Sequence, residues 1–298
     1  MDSTFLKILV EIAKFSNITK AANNLGYTQS GLSHTLNRVE DDMGFKLFLR
    51  SKKGVTLTEE GSALLPIAKE IVTNMEKLHE TITSIQGLEQ GKITIGSFTS
   101  ISMNILPSIL MAFSRDYPGI KIELMEGSVT EIQEWIMDRT IDIGFTSLQD
   151  NDEFEYTVWF DDPLLAIVPK DYENRNNNFF DIKEFENHPF IMPATERGYD
   201  YDIEKIVEKH GLNLNVKLSS KSDMAIIKLV ARGLGFTILP ELITLGNTSA
   251  VKALPILPYS CRKLGMGSTS IRNSSPATKK FIEYTNLIIQ ERKIKMYL

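Results

Sequence analysis

The sequence has little cysteine and histidine and no long apolar segment, and each absence excludes a class of protein. Its single cysteine, Cys261, excludes an intramolecular disulfide and suits a reducing cytoplasm. The four histidines are scattered without metal-site spacing, so we predict no metal and no cofactor. No run of about 18 apolar residues exists, so we predict no membrane span. Lys7, Glu11 and Lys14 interrupt the first apolar segment, so we expect no signal peptide.

Positive charge is concentrated at the N-terminal end of a chain whose net charge is −5. Residues 1–58 contain eight lysines and arginines against five acidic residues, whereas residues 59–90 contain two against six. A length of 298 residues, with 42% hydrophobic and 24% charged residues, is typical of a globular protein with two or three domains. The small positive excess predicts a few contacts with nucleic-acid phosphates and argues against a tightly wrapping binder.

The N-terminal region has the pattern of two short helices separated by a tight turn. Asn17 is a good cap for a helix over about 18–25, and Gly26 can end that helix in the left-handed conformation. Thr28 then caps a second helix over about 29–43. The apolar residues of the second helix recur at spacings of three and four, which predicts an inward face made of Leu32, Leu36, Val39 and Met43.

A basic hairpin follows, with strands over about 47–50 and 55–57, and an amphipathic helix over about 4–15 precedes the pair. A tight turn, a polar second helix and a basic hairpin in close succession are typical of a winged helix-turn-helix, whose second helix enters the DNA major groove. By itself, a polar helix face is most often only solvated, and a basic turn most often serves solubility. The candidate DNA-contacting residues are Thr28, Gln29, Ser30, Ser33, His34, Asn37, Arg38, Arg50, Lys52 and Lys53.

A heptad pattern marks the next helix, which is predicted over about 59–86. Its apolar residues alternate at spacings of four and three in the series Leu64, Ala68, Ile71, Met75, Leu78, Ile82 and Ile85. Such a helix can pack on its own domain or pair with the same helix of a second subunit. Pairing is the better interpretation, because a dimer presents two reading helices to a symmetric DNA site.

From Gly91 onward, strands alternate with helices, which predicts a doubly wound α/β fold. The first unit is expected to have strands near 93–95, 120–124 and 141–145 and helices over 105–115 and 129–137. After a buried strand at 164–168, the second unit is expected to have strands near 190–192, 215–218 and 236–239 and helices over 201–210 and 223–231. A strand over 265–271 and a helix over 276–292 return to the first unit. Two such lobes enclose a cleft suited to a small molecule.

Small hydroxyl residues recur at the turns where predicted strands lead into helices. In α/β folds these turns face the ligand crevice, and helix N-termini there favour anions. A single Ser or Thr is more often a helix cap, but the recurrence favours a binding role. The turns offer no histidine, paired carboxylates or nucleophile elbow, so we predict binding without catalysis. The candidate effector-binding residues are Ser97, Thr99, Ser100, Ser128, Thr130, Thr146, Thr195 and Ser222.

A set of residues distributed along the whole chain matches the sequence pattern of a known family. In the N-terminal region it comprises Ala21, Ala22, Leu25, Thr28, Gln29, Ser30, Leu32, Ser33, Glu40, Gly44, Leu47, Phe48, Arg50, Leu57, Thr58 and Gly61. Beyond it the set comprises Leu106, Pro107, Phe113, Tyr117, Pro118, 142–144, 233–236, Leu239 and Pro240. With this set the chain resembles the LysR-type transcriptional regulators over essentially its full length.

The resemblance implies three parts: a winged helix-turn-helix over 1–58, a dimerising linker helix over 59–90, and a two-lobed effector domain over 91–298. The effector domain is expected to be similar to periplasmic binding proteins, with lobe I at about 91–163 plus 265–298 and lobe II at about 164–264. The resemblance also implies dimers, and in most members tetramers, that bind interrupted palindromes in double-stranded DNA. A small effector, often anionic, would change the DNA bend and the contact with RNA polymerase.

Residue by residue, Gln29, Ser30 and Ser33 match the family positions that contact bases or backbone, and Arg50 matches the wing contact. Thr28, Ser30, Gly31 and His34 depart from the commonest family residues, so the family does not define the base preference at the position of His34. Two alternatives remain open: a solute-binding receptor, which the second half alone would fit, and an enzyme fused to a DNA-binding module. The N-terminal reader argues against the first, and the chemistry of the turns argues against the second.

Overall fold

The computed structural model describes residues 3–51, 54–85, 90–148, 154–173, 179–195, 200–246 and 249–296. These residues divide into two units, of which the first comprises 1–90, 138–140 and 274–277 and the second comprises 91–137, 141–273 and 278–298. Among the described helices, none is both long enough and apolar enough to cross a membrane.

Three helices and a hairpin begin the first unit. They are α1 (Ser3–Phe15), α2 (Ile18–Leu25), α3 (Gln29–Met43), β1 (Phe48–Ser51) and β2 (Gly54–Leu57). The predicted caps are confirmed, because Asn17 Oδ1 accepts the N–H of Lys20 at 3.0 Å and Thr28 Oγ1 accepts that of Gly31 at 3.1 Å. Gly26 ends α2 with a φ of 73°, a conformation that glycine adopts without steric cost.

The core of this region lies between α1, α2 and α3. Its buried side chains include Phe5, Ile8, Leu9, Ile12, Ala21, Ala22, Leu32, Leu36 and Leu47, and Val39 and Met43 pack at its margin. The inward face predicted for α3 is therefore confirmed. Burying this apolar stripe is the main force that fixes α3 and leaves its polar side in solvent.

A single long helix, α4 (Glu59–Ile85), follows the hairpin. Thr58 Oγ1 accepts the N–H of Gly61 at 3.0 Å and caps the helix. A Cβ at Gly61 would collide with the carbonyl oxygen of Leu47, so only glycine allows this close approach to the start of the hairpin.

The heptad series of α4 splits into two parts. Leu64 and Ala68 pack on the core of the first unit. Further along, Ile71, Met75, Leu78 and Ile82 are exposed by 41%, 36%, 63% and 45%. The N-terminal part of the series thus serves its own domain, whereas the C-terminal part leaves an apolar stripe in solvent. The side chain of Ile85 lies outside the described ones.

The second unit begins with a parallel α/β arrangement. Its elements are β3 (Gly91–Ser97), α5 (Thr99–Asn104), α6 (Leu106–Asp116), β4 (Ile120–Glu126), α7 (Val129–Met137) and β5 (Ile143–Ser147). The strand order β4–β3–β5 is parallel throughout, as predicted for this segment. The short helix α5 was not predicted, because six residues are too few to show a helical periodicity.

The rest of the unit is more strand-rich than predicted. Its elements are β6 (Glu155–Pro169), β7 (Phe180–Asp181), a 3₁₀ turn (Ile182–Asn187), β8 (Pro189–Pro193), α8 (Tyr201–His210), β9 (Asn215–Ser220), α9 (Asp223–Ala231), β10 (Thr237–Pro240), α10 (Glu241–Thr244), β11 (Val251–Leu257), β12 (Cys261–Ser268) and α11 (Pro276–Met296). The main sheet has the order β4–β3–β5–β12–β6–β11–β7, with β10 also paired to β6.

The long strand β6 belongs to both lobes. Its first part, up to Pro163, pairs antiparallel with β12, and its second part pairs with β10 and β11. The sequence predicted only the second part, because the first part is half-exposed and polar. β12 begins at Cys261 instead of the predicted Gly265, since Arg262 and Lys263 hid the strand pattern. The predicted lobe boundary near residue 264 therefore falls inside β12.

Each lobe has its own core. In lobe I, Phe281 of α11 meets Phe113 of α6 edge-to-face with ring centroids 4.9 Å apart, so the last helix packs against α6. In lobe II, apolar clusters flank the sheet, one containing Phe190 and Phe236 and the other Ile226. Packing of these cores fixes the strand ends that face the other lobe.

Candidate DNA-binding surface and effector cleft

The exposed side of α3 carries most of the predicted DNA-contacting residues. Leu32 and Leu36 are fully buried, and the residues between them point the other way. Ser33 is half-buried, and the exposed members are Gln29, Ser30, His34, Asn37 and Arg38. Donors and acceptors therefore lie along the first turns of the helix, the part of a recognition helix that approaches base edges.

Hydrogen bonds already order this surface. Gln29 Nε2 donates to Ser33 Oγ at 3.2 Å, one turn further along α3. Thr28 uses its hydroxyl to cap the helix, and the same oxygen lies 3.3 Å from Ser30 Oγ. Because these groups are exposed, exchanging such a bond for one to a base or phosphate changes the free energy only modestly.

The hairpin is joined to α3 through Arg50. Arg50 lies on β1 opposite Val55, and its Nη2 donates to Asn37 Oδ1 at 3.0 Å. Two predicted DNA contacts from different elements thus form one continuous surface. Lys52 and Lys53, the other predicted cations of this wing, lie outside the described residues.

Glu40 fixes the base of the hairpin, a role that the sequence analysis did not predict. Only 4% of this residue is exposed, and its Oε1 accepts the N–H groups of Leu47 at 2.8 Å and Phe48 at 3.2 Å. Its other oxygen lies 3.0 Å from Lys46 Nζ. The sequence did contain a signal for this role. Glu40 lies four positions after the inward-facing Leu36 and so on the buried side of α3, where an unpaired charge would be costly.

In the second unit, a cavity of about 320 Å³ lies between the two lobes. Residues 98–100, 126–129 and Glu131 line it from lobe I, and residues 193–195, 239–240 and Ile243 line it from lobe II. These segments follow the ends of strands, which is where α/β folds place their ligands. The volume lies at the lower end of the roughly 300–1,000 Å³ typical of small-molecule pockets.

Four of the eight predicted hydroxyl residues line this cavity, namely Thr99, Ser100, Ser128 and Thr195. The other four are not among its lining residues. Ser97 and Thr146 are fully buried, and Thr130 is exposed on α7. Ser222 caps α9, because its Oγ accepts the N–H of Ala225 at 3.3 Å. Capping, the simpler interpretation of such residues, therefore holds for Ser222.

Arg262 is the centre of a buried polar network beside the cavity, and the sequence analysis missed it. Its Nε and Nη2 donate to Asp162 Oδ2 at 3.0 and 2.8 Å, and Nη2 also donates to Ser100 Oγ at 2.8 Å. The guanidinium carbon lies 4.6 Å from the centre of the Phe98 ring. Charged residues inside a strand segment, as in Cys261–Lys263, were the signal that could have indicated a buried ion pair.

The network reaches lobe II through Asp202 near the start of α8. Asp202 Oδ2 lies 3.7 Å from Arg262 Nη1, and Ser147 Oγ at the end of β5 donates to the same carboxylate at 3.1 Å. Burial raises the pKa of Asp202 to about 6, with Arg262 opposing the rise and Asp200 adding to it. The carboxylate of Asp202 in lobe II thus contacts Ser147 of β5 in lobe I and Arg262 of β12, the strand near the lobe boundary.

Two further carboxylates line the cavity itself. Asp200 Oδ1 caps α8 by accepting the N–H groups of Asp202 at 3.1 Å and Ile203 at 3.3 Å, and burial raises its pKa. Asp223, in the first turn of α9, has a pKa raised to about 6 by burial and by the charge of Asp200. The cleft therefore holds acidic groups whose ionised forms are disfavoured by their surroundings.

The described lining of the cavity contains no histidine and no cysteine. Across the described part of the chain, no cluster of three or more His, Cys, Asp or Glu side chains is arranged to hold a metal ion. The arrangement can bind and orient a small molecule through hydroxyls, carboxylates and apolar walls.

Comparison with known proteins agrees with this architecture. The family model described as "LysR substrate binding domain" matches residues 86–286, and "Bacterial regulatory helix-turn-helix protein, lysR family" matches residues 4–62. A curated relative from Bacillus subtilis, the uncharacterized HTH-type transcriptional regulator YvbU, is 29% identical over 95% of this chain and 97% of its own length.

Solved structures share the fold at low sequence identity. A full-length OxyR variant from Pseudomonas aeruginosa superposes with a TM-score of 0.77 over 97% of this chain and 95% of its own, at 19% identity. Full-length CbnR complexed with its target DNA superposes with a TM-score of 0.65 over 96% of this chain and 99% of its own, at 18% identity. One family model matches the N-terminal helix-turn-helix region, and the other matches most of the rest of the chain. This chain therefore belongs to the LysR family of transcriptional regulators.

Proposed function

We propose that α3 is the recognition helix of this regulator and that the β1–β2 hairpin is its wing. The observation that carries the proposal is the Arg50–Asn37 hydrogen bond, which joins the wing to the exposed polar side of α3. Gln29, Ser30 and Ser33 would reach base edges, while Arg50 would contact the phosphate backbone. With a positive excess of only three charges in residues 1–58, few phosphate contacts are expected for each subunit.

The protein would read DNA as a dimer joined through α4. The exposed stripe from Ile71 to Ile82 supports this, because a helix with an apolar stripe of this spacing gains stability when a second copy covers it. Two linked readers fit an interrupted palindrome in double-stranded DNA. Pairing of dimers into tetramers, contact with RNA polymerase, and a location in the cytoplasm are the further expectations that follow from the family resemblance.

A small-molecule effector would bind in the cavity between the lobes and act without catalysis. Its binding would favour one relative angle of the lobes, because the cavity is lined from both sides. Asp202 supports such coupling, since it lies in lobe II and contacts Ser147 and Arg262. The change in lobe angle would alter the distance between the two recognition helices of the dimer.

The test is DNA binding by Gln29→Ala and Arg50→Ala variants of the full-length protein. Binding sites selected from random DNA with the wild-type protein would be labelled for anisotropy titrations. We expect affinity to fall by roughly 5- to 150-fold for each variant, since each loses a contact worth roughly 1–3 kcal/mol. Arg232→Ala, which removes an exposed arginine of the effector domain, is the matched control and should bind normally. Wild-type affinity for both reader variants would contradict the proposal.

A further inference from the structure

We propose that Gly54 and Ser16 are positioning residues for the wing, and that their backbone contact sets where Arg50 meets the DNA phosphates. The inference rests on the proposed function, in which Arg50 is the phosphate contact of the β1–β2 hairpin. Three features of the first unit support it: the bonding of the residue opposite Arg50, the space at Gly54, and the backbone conformation of Ser16.

The residue opposite Arg50 in the hairpin is bonded to a different part of the domain. Arg50 on β1 pairs in register with Val55 on β2. The N–H of Val55 donates to the carbonyl oxygen of Ser16 at 3.0 Å, in the turn between α1 and α2. At this level the hairpin is therefore held by α3, through the bond from Arg50 to Asn37, and also by the α1–α2 turn.

Gly54 allows the hairpin to approach this turn closely. Its φ is 131°, a conformation that residues with a side chain rarely adopt. A Cβ at this position would lie only 2.8 Å from the carbonyl oxygen of Ser16. The obstacle is backbone, which cannot rotate away as a flexible side chain would. A larger residue at position 54 would therefore push β2, and Arg50 with it, away from the α1–α2 turn.

The carbonyl group of Ser16 is held by a strained backbone conformation. The φ of Ser16 is 47°, in the left-handed region, which a serine adopts only when its surroundings impose it. The next residue, Asn17, is fixed because its side chain caps α2. Strain that a fold maintains indicates a demand on that position. The contact with the wing supplies such a demand.

The base of the hairpin is anchored independently of this contact. Glu40 accepts the N–H groups of Leu47 and Phe48 at the start of β1, and the N–H of Thr58, just after β2, donates to the carbonyl oxygen of Leu47 at 2.9 Å. A displacement at Gly54 would therefore tilt the wing about a fixed base and leave α3 in place. Such a tilt moves the phosphate contact without changing the helix that reads the bases.

The experiment is a salt titration of DNA binding by Gly54→Ala in the full-length protein. Anisotropy is measured with labelled DNA sites selected by the wild-type protein, from about 50 to about 200 mM salt. We expect the variant to bind about as weakly as Arg50→Ala. The slope of log affinity against log salt should become shallower by about 1 for each wing, because a phosphate contact is lost. A wild-type slope overturns the proposal, since lower stability alone removes no phosphate contact.

Gly44→Ala is the matched control. Gly44 ends α3 with a φ of 79°, but a Cβ there would have nothing within 4 Å. This variant should unfold at a lower temperature because of backbone strain, and it should keep the wild-type salt slope. A slope as shallow as that of Gly54→Ala would show that strain alone disturbs the phosphate contacts, and the assignment to the Ser16 contact would be wrong.

A double-mutant cycle tests whether Gly54 acts through Arg50. Combining Gly54→Ala with Arg50→Ala should weaken binding by much less than the product of the two single losses, because both changes remove the same contact. Losses that multiply fully would show that the two residues act independently, which contradicts a positioning role.

Amide hydrogen exchange of the wild-type protein tests the contact even if Gly54→Ala does not fold. The N–H of Val55 should exchange slowly, since it is bonded to Ser16. Exchange at the rate of an unbonded amide would rule the contact out. The outcomes are separable from those of the proposed function. Normal DNA binding by Arg50→Ala contradicts the wing contact itself, whereas weak binding by Arg50→Ala with a wild-type slope for Gly54→Ala contradicts only the positioning role.

Discussion

Replacing Arg262 by methionine should destabilise the effector domain strongly near neutral pH and much less in mild acid. Arg262 is the cation that faces two buried carboxylates, those of Asp162 and Asp202. These two residues are only 3% and 8% exposed. Methionine keeps an unbranched apolar stem similar to the aliphatic part of arginine, without its charge. Removing one partner of a buried ion pair leaves an uncompensated charge and costs roughly 3–5 kcal/mol of unfolding free energy.

The pH dependence follows from the neighbouring carboxyl groups. Burial raises the pKa of Asp202 to about 6 even with Arg262 opposing it, and Arg262 also opposes the raised pKa of Asp200. Without the arginine both pKa values rise further. A raised carboxyl pKa means that the folded state binds more protons than the unfolded state, so stability falls as pH rises through that pKa. The defect should therefore be largest near pH 8 and should shrink towards about pH 5, where these carboxyls are protonated.

The assay is thermal unfolding of the full-length protein, with the midpoint of the effector domain followed from about pH 5 to about pH 8. For a domain of this size, a loss of 3–5 kcal/mol lowers the midpoint by roughly 10 °C. Arg272→Met, which removes an exposed arginine, is the matched control and should shift the midpoint little at any pH. A defect of equal size at both ends of the pH range would refute the electrostatic reasoning, because lost packing alone does not depend on pH.

Two further predictions concern the first unit. Glu40→Ala should lower the stability of the DNA-binding domain by roughly 2–4 kcal/mol in thermal unfolding, because two backbone N–H groups lose their charged acceptor. Asp41→Ala, at an exposed neighbouring position, should cost little; similar losses for both would contradict the role of Glu40. Leu78→Asp should shift the protein towards monomers in sedimentation experiments, whereas Thr73→Asp on the opposite side of α4 should not. A dimer unaffected by Leu78→Asp would show that subunits meet elsewhere.

The elements of the DNA-reading region followed from local patterns. The caps Asn17 and Thr28, the glycine that ends α2, and the apolar spacing of α3 are all decided within a few residues, so the sequence was sufficient to predict them. The helices α7, α8 and α9 were also predicted at their observed bounds for the same reason. Predictions were weaker where the pattern was short or polar, as in α5 and the first half of β6.

The cleft shows the limit of local patterns. Turns between strands and helices indicated where hydroxyl groups would gather, and four of the eight line the cavity. The sequence could not indicate that Glu131 and Asp200 would occupy the N-termini of α7 and α8, because a carboxylate that caps a helix and one that faces solvent look alike in sequence.

By itself, then, the sequence determined the helix-turn-helix, the polar exposed face of α3, the heptad series of α4 and the α/β character of the remainder. These depend on spacings of a few residues and on caps. Only the tertiary structure decided which part of the heptad series stays exposed, and that Asp162 and Arg262 meet across 100 residues of chain. The physical reason is that burial and charge pairing depend on the through-space neighbours of a residue, which strand pairing between β6 and β12 brings together.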